Sequence, residues 1–205
     1  MRKVLMMFAA TLFAVGSAHA QEVGAGAGRV EVGAFPGGGI FFTQASNGNE
    51  PAFGNYALGA SLTVNVNRWV GFEGEGGGTI GIPQAFNVGP TAFTDQRTPS
   101  MWSYNGNVIV SPHGSDRSVV PYGTAGFGGL TMCPCGDVDA LGITQYETYL
   151  TGNVGGGVKW FSTRHFGLRG DYRLFMVKNK DTAPLFFGND TRYGHRVQGG
   201  MIFTF

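Results

Sequence analysis

Charge is scarce in this chain. Lys, Arg, Asp and Glu make up 13% of its 205 residues, about half the quarter usual for soluble domains. The balance is also near zero, 14 basic against 13 acidic residues, so nothing electrostatic argues for nucleic acid as a partner. Long apolar runs are missing as well. The one near the start, residues 4–15, is about 12 residues long where a membrane helix needs roughly 20, and no later run approaches that length. Cysteine is limited to Cys133 and Cys135. A soluble enzyme would be an odd use of so little charge.

The apolar run does have a use. Arg2 and Lys3 precede it, and Ala18-His19-Ala20 follows with small residues at the two positions a signal peptidase reads. That pattern predicts a secretory signal peptide over residues 1–20 and a mature chain over 21–205. Gln21 rather than cysteine stands immediately after the cleavage point, so a lipoprotein anchor is not expected. Glycine is abundant, 36 residues, as expected where a narrow interior accepts only small side chains at many places.

From residue 29 the chain divides into segments of alternating character separated by turn chemistry. The predicted strands cover 29–42, 56–66, 70–80, 100–110, 118–131, 147–161, 165–177 and the C-terminal stretch. In the first, Val30, Val32, Ala34, Ile40 and Phe42 are expected on one face, opposite Arg29, Glu31 and Gly33, with a bulge at Pro36. Leu58, Leu62 and Val64 oppose Ser61, Thr63 and Asn65 in the second. Trp102, Tyr104 and Val108 oppose Ser103, Asn105 and Asn107 in the fourth, and Leu168, Tyr172 and Leu174 oppose Arg169, Asp171 and Arg173 in the seventh. The fifth is too glycine-rich to fix a register. Connections alternate strictly: 43–55, 81–99, 132–146 and 178–191 are long, while 67–69, 111–117 and 162–164 are short. Long outer loops and short periplasmic turns are the pattern of outer-membrane barrels. Trp69, Trp160 and Phe205 fall near one rim, and Trp102, Tyr104 and Tyr193 near the other, giving two aromatic girdles.

The C-terminus adds a specific signal. Gln198, Gly200, Phe203 and Phe205 fit polar-x-Gly-x-x-aromatic-x-aromatic, which closely resembles the assembly signal of bacterial outer-membrane barrels. With it, the chain resembles the small outer-membrane β-barrel family, which includes the OmpA membrane domain and OmpX-like barrels. The resemblance covers essentially the whole mature chain, but it is one of pattern apart from this signal and the opening Val120-Pro121-Tyr122-Gly123. It implies an all-β, closed, antiparallel up-and-down transmembrane barrel of eight strands in the outer membrane of a Gram-negative-type bacterium. It also implies outer-membrane lipid and lipopolysaccharide as surroundings and the barrel-assembly machinery as a partner during biogenesis. Cell-wall anchoring is not implied. A lipocalin-like soluble barrel would share the alternation but leave the terminal Phe and the loop lengths unexplained.

The strongest chemical grouping is the polar face: Arg29, Glu31, Glu73, Glu75, Lys159, Arg169, Asp171, Arg173 and Arg196. Eight strands leave an interior just wide enough for side chains, and buried charges must be paired. This predicts an ion-paired plug. Rings of charge also line channels, so a narrow path for a small solute is the alternative. Cys133 and Cys135 are expected to form a local disulfide after export. Asp137 and Asp139 are weak support for a metal without a histidine in the same loop, and no metal or other cofactor is expected. His113-x-Ser115 resembles the pair used by an outer-membrane lipid A deacylase family, but that family works on the outer leaflet and these residues belong to a periplasmic turn. No catalytic residue is assigned. His195 reads as an interfacial side chain.

Overall fold

The computed structural model describes residues 24–26, 28–43, 51–88, 90–135, 144–178, 180 and 191–205. The expected signal peptide, Asp137 and Asp139 lie outside the described residues. Ten strands follow in chain order: β1 Val30–Phe42, β2 Phe53–Asn65, β3 Val70–Gly81, β4 Pro83–Val88, β5 Thr91–Arg97, β6 Met101–Val110, β7 Val119–Met132, β8 Glu147–Phe161, β9 Phe166–Val177 and β10 Arg192–Thr204. Eight of them close into an antiparallel barrel in which each strand pairs with the next and β10 pairs with β1. β4 and β5 form a separate two-stranded sheet. The expected eight-stranded barrel is therefore present, and the hairpin is an addition within a segment read from sequence as a loop.

Period-two alternation produces this closure. In β9, Arg169, Asp171, Arg173, Phe175 and Val177 are buried while Leu168, Tyr172 and Met176 are exposed. β3 buries Glu73 and Glu75 and exposes Phe72. The polar face points into the barrel and the apolar face out toward lipid, the reverse of a soluble protein. Closure pairs the backbone groups around the ring, as the absence of water in a bilayer core requires.

β1 departs from the sequence expectation. One extra residue sits between Ala34 and Gly37 relative to β10, and the register with β2 shifts between Phe35 and Gly39. A one-residue insertion reverses the facing of everything after it. Val32 and Ala34 face out as expected, but Ile40 and Phe42 turn inward, 3% and 2% exposed. The sequence predicts the bulge at Pro36, and its extra residue reverses the parity beyond it. Tyr56 donates its hydroxyl to the Pro36 carbonyl, which satisfies an acceptor that the bulge removes from the ladder.

The short turns are set by local side chains. Asn67 Oδ1 accepts from the backbone of Trp69 and Val70 at 2.7 and 2.9 Å, an Asx turn. Thr163 Oγ1 accepts from His165 and Phe166 at 3.3 and 3.0 Å.

Candidate functional site

Midway through the barrel, five strands direct charge at one another. Lys159 of β8 reaches Glu31 of β1 at 2.6 Å, and Asn65 donates to the same carboxylate at 2.8 Å. Glu73 is gripped twice, by Arg169 at 2.5 Å and Arg173 at 2.7 Å, and accepts further from Asn107 at 3.0 Å. Glu75 pairs with Arg173 at 2.9 Å and Arg196 at 2.5 Å. Asp171 takes Arg169 at 2.9 Å and Arg173 at 2.8 Å. Four acids thus meet Lys159 and three arginines, all of them buried. Each charge has an opposite partner, the condition under which burial is tolerated.

Tyr122 is the hinge of this network that sequence reasoning missed. It accepts from Arg169 Nε at 2.7 Å and donates to Asp171 Oδ2 at 2.5 Å. Its ring lies 4.8 Å from the Arg169 guanidinium carbon, and Phe35 covers the same guanidinium at 5.2 Å. The signal was present in Val120-Pro121-Tyr122-Gly123, but β7 has too few side chains to reveal which face Tyr122 takes. Arg29 is the exception among the predicted lumen residues. It lies ahead of β1, half-buried, and forms no ion pair among the described residues. The strand begins one residue later, at Val30, so strand parity does not govern Arg29.

Glycine supplies the space. A Cβ at Gly157 would lie 2.6 Å from Tyr122 Oη, and one at Gly155 would lie 2.8 Å from Arg173 Cα and 3.0 Å from its Cγ. Nearer still are the Gly170 carbonyl, 2.0 Å from the first, and the Tyr172 carbonyl, 2.1 Å from the second, so the adjoining strand backbone as well as these side chains requires glycine here.

Both ends of the ion-paired layer are apolar. On the long-loop side Phe42, Phe53, Met101, Leu130, Tyr149 and Phe175 belong to one buried cluster. The β4–β5 hairpin completes it: Phe86 is 6% exposed within that cluster and stacks on Phe93 at 5.6 Å. Gln84 anchors the hairpin by bonding the Gly54 backbone at both its N–H and its carbonyl, 3.1 and 2.6 Å. A void of about 10 Å³ lined by Ile40, Phe42, Phe175 and Arg196 lies where cap and charges meet, room for about one water molecule. On the short-turn side Ala25 packs with Val120, Phe161 and Ile202. Ser115 Oγ donates to the Ala25 carbonyl at 2.5 Å and Gly24 N–H to the Asp116 carbonyl at 3.3 Å, so the start of the described chain is folded under the barrel.

The family model for the outer membrane protein beta-barrel domain matches residues 8–202. The chain belongs to that family. No curated protein is significantly similar to it in sequence. Among solved structures it is similar to Neisserial surface protein A from Neisseria, with 15% identity, 86% of this chain and 96% of that one covered, and a TM-score of 0.58. The N-terminal barrel domain of OprF from Pseudomonas aeruginosa aligns at 14% identity, covering 88% and 99%, with a TM-score of 0.52. The attachment invasion locus protein Ail of Yersinia pestis, in complex with the heparin analogue sucrose octasulfate, aligns at 11% identity over 87% and 99%, with a TM-score of 0.51. These likenesses establish the fold. Membership in the family places the chain in the outer membrane of a Gram-negative bacterium.

The remaining predicted residues fall as follows. Gln198 is buried on the inner face of β10 while Phe203 and Phe205 face out, 41% and 73% exposed, and Phe203 packs on Phe166 with ring centroids 5.5 Å apart. A Cβ at Gly200 would lie 2.8 Å from the Phe35 ring. The Cys133 and Cys135 sulfurs lie within bonding reach, with Cα atoms 5.1 Å apart. His113 is exposed, whereas Ser115 is buried with its hydroxyl committed to Ala25. His195 meets the Tyr172 hydroxyl at 2.8 Å near the outer rim.

Proposed function

We propose that this protein is a non-enzymatic envelope barrel whose lumen is plugged by its own ion pairs, serving membrane integrity or presenting its loops for surface contact. One observation carries the reading. In the charged layer four buried carboxylates and four buried bases neutralise one another across the barrel, and the fifth buried base, Arg192 at the long-loop end of β10, donates to the carbonyls of Thr43 and Pro51. The apolar layers above and below the charged layer support the same reading, since a hydrated path would have to cross both. Outer-membrane lipid and lipopolysaccharide surround the barrel on this proposal, and the barrel-assembly machinery inserts it.

Ail was solved with a heparin analogue. The long connections and adjoining strand ends of this chain carry seven acidic and four basic residues, so a polyanion is a poor candidate for its outer surface. Planar-bilayer recording of refolded protein is the test. Plugged barrels give no stable single-channel steps. Steady steps whose ion selectivity changes in Asp171→Ala would instead make the lumen a route for a small solute.

Processing is part of the proposal. The mature protein should begin at Gln21 by mass spectrometry, fractionate with outer membranes, and run faster on gels when unheated. A soluble periplasmic product beginning elsewhere would contradict it.

A further inference from the structure

The short-turn end of the barrel carries three arginines that stand outside the ion-pair network. Arg68 lies between β2 and β3, Arg117 between β6 and β7, and Arg164 between β8 and β9, and all three are exposed. None takes part in an ion pair among the described residues. The Arg68 guanidinium carbon sits 4.7 Å from the centre of the Trp69 ring. Tryptophan settles at the headgroup level of a bilayer, so this contact puts the cation at the depth of the lipid phosphates. Trp160 and Phe205, both facing out, mark the same rim.

The rest of the charge makes these arginines distinctive. The lumen is balanced, and the long-loop end is acidic by seven residues to four. By sequence, the short-turn end and the start of the mature chain hold Arg29, Arg68, Arg117 and Arg164 against Glu22 and Asp116. This is the end with an excess of positive charge. Arginine presents a planar fork of donors suited to phosphate oxygens.

We propose that Arg68, Arg117 and Arg164 form a collar that binds net-anionic phospholipid headgroups of the periplasmic leaflet. Zwitterionic lipids offer the same phosphate but oppose the collar with their own ammonium, so the collar discriminates by net charge. A basic residue near an anionic surface is worth about a five-fold preference. That preference falls with salt, because the screening length is about 8 Å at physiological ionic strength and about 3 Å at molar salt.

The experiment uses Trp69 as reporter. Mature protein carrying Trp102→Phe and Trp160→Phe is refolded into phosphatidylcholine bilayers containing a minority of brominated phosphatidylglycerol or brominated phosphatidylcholine. Brominated phosphatidylglycerol should occupy the site beside Trp69 with about five-fold preference. Molar salt should bring that preference close to one, as should the triple change Arg68→Gln, Arg117→Gln and Arg164→Gln. A matching chain with Trp102 as its lone tryptophan reports the outer rim and should show no preference. Heat-dependent gel mobility confirms folding of each variant. If the triple variant does not fold, the salt titration of the unaltered arginines decides. Equal quenching by both lipids at Trp69, or a preference that survives molar salt or the triple change, overturns the proposal. So does an equal preference at Trp102. Tight binding of a soluble polyphosphate with no lipid preference would assign the collar to a soluble anion and overturn it too.

Discussion

Asp171→Ala is expected to destabilise the refolded barrel by about 3–5 kcal/mol, the usual consequence of removing one member of a buried ion pair. Asp171 lies between Arg169 and Arg173 on the inner face of β9 and accepts from both, and from Tyr122. Without it two guanidiniums share Glu73 at close quarters, and the Tyr122 hydroxyl loses its acceptor. Water entering the vacated space screens the arginines, so the lower end of the range is expected. With a urea slope of about 1–3 kcal/mol per molar, the midpoint should fall by a molar or more. Asp171→Asn keeps the shape and an acceptor oxygen and should cost less. Combining Asp171→Ala with Arg173→Met removes a charge of each sign and should recover part of the loss, a coupling that a double-mutant cycle reads directly. Single changes that leave the midpoint where it was would show that the network contributes nothing to stability.

Phe205→Ser should reduce insertion in cells by more than ten-fold, beyond what its packing explains. Burying a phenylalanine completely is worth about 1.5–3 kcal/mol, and Phe205 remains 73% exposed. Contact with the rest of the protein therefore accounts for less than about 1 kcal/mol, or a few-fold, and the contact of its outer face with apolar surroundings is common to membrane and detergent. Serine keeps the backbone bonds that tie residue 205 to Val30, 2.9 and 3.3 Å, so the ladder is preserved. Any larger effect reflects recognition of the terminal strand. The contrast that isolates it is spontaneous refolding of the purified variant into detergent, which should be nearly normal. A defect of equal size in both settings would mean that Phe205 acts through the fold alone.

Period-two reading succeeded where the two faces differ sharply in chemistry. Arg169, Asp171 and Arg173 against Leu168, Tyr172 and Leu174 admit one register, and β2, β3, β6 and β8 are nearly as clear. It failed where the side chains carry no such contrast. Gly123, Gly126, Gly128 and Gly129 leave β7 almost blank, which hid Tyr122. In β1, Ile40 and Phe42 look like lipid-facing residues, and only the ladder shows that they close the lumen. The β4–β5 hairpin is short and polar, and it is held by docking Phe86 onto residues from distant strands, a tertiary effect with little local trace. The members of the charged layer could be named from parity, but who pairs with whom depends on barrel circumference and strand stagger, which a linear pattern does not carry.

The ring of strands has one seam of a different kind. Every other barrel pairing joins strands adjacent in the chain, apart from the detour through the hairpin, and can zip up locally. The β1–β10 pairing instead brings together residues as far apart as Glu31 and Thr204, a long loop whose closure costs about 3 kcal/mol more than that of a short hairpin. Distant pairings of this sort dominate the time a topology takes to form. Until they form, β1 and β10 are two unpaired edges, each able to recruit a strand from another molecule. The interval before the seam zips is therefore when this chain is most exposed to aggregation, and its rate should track chain concentration and whatever holds the final strand in waiting.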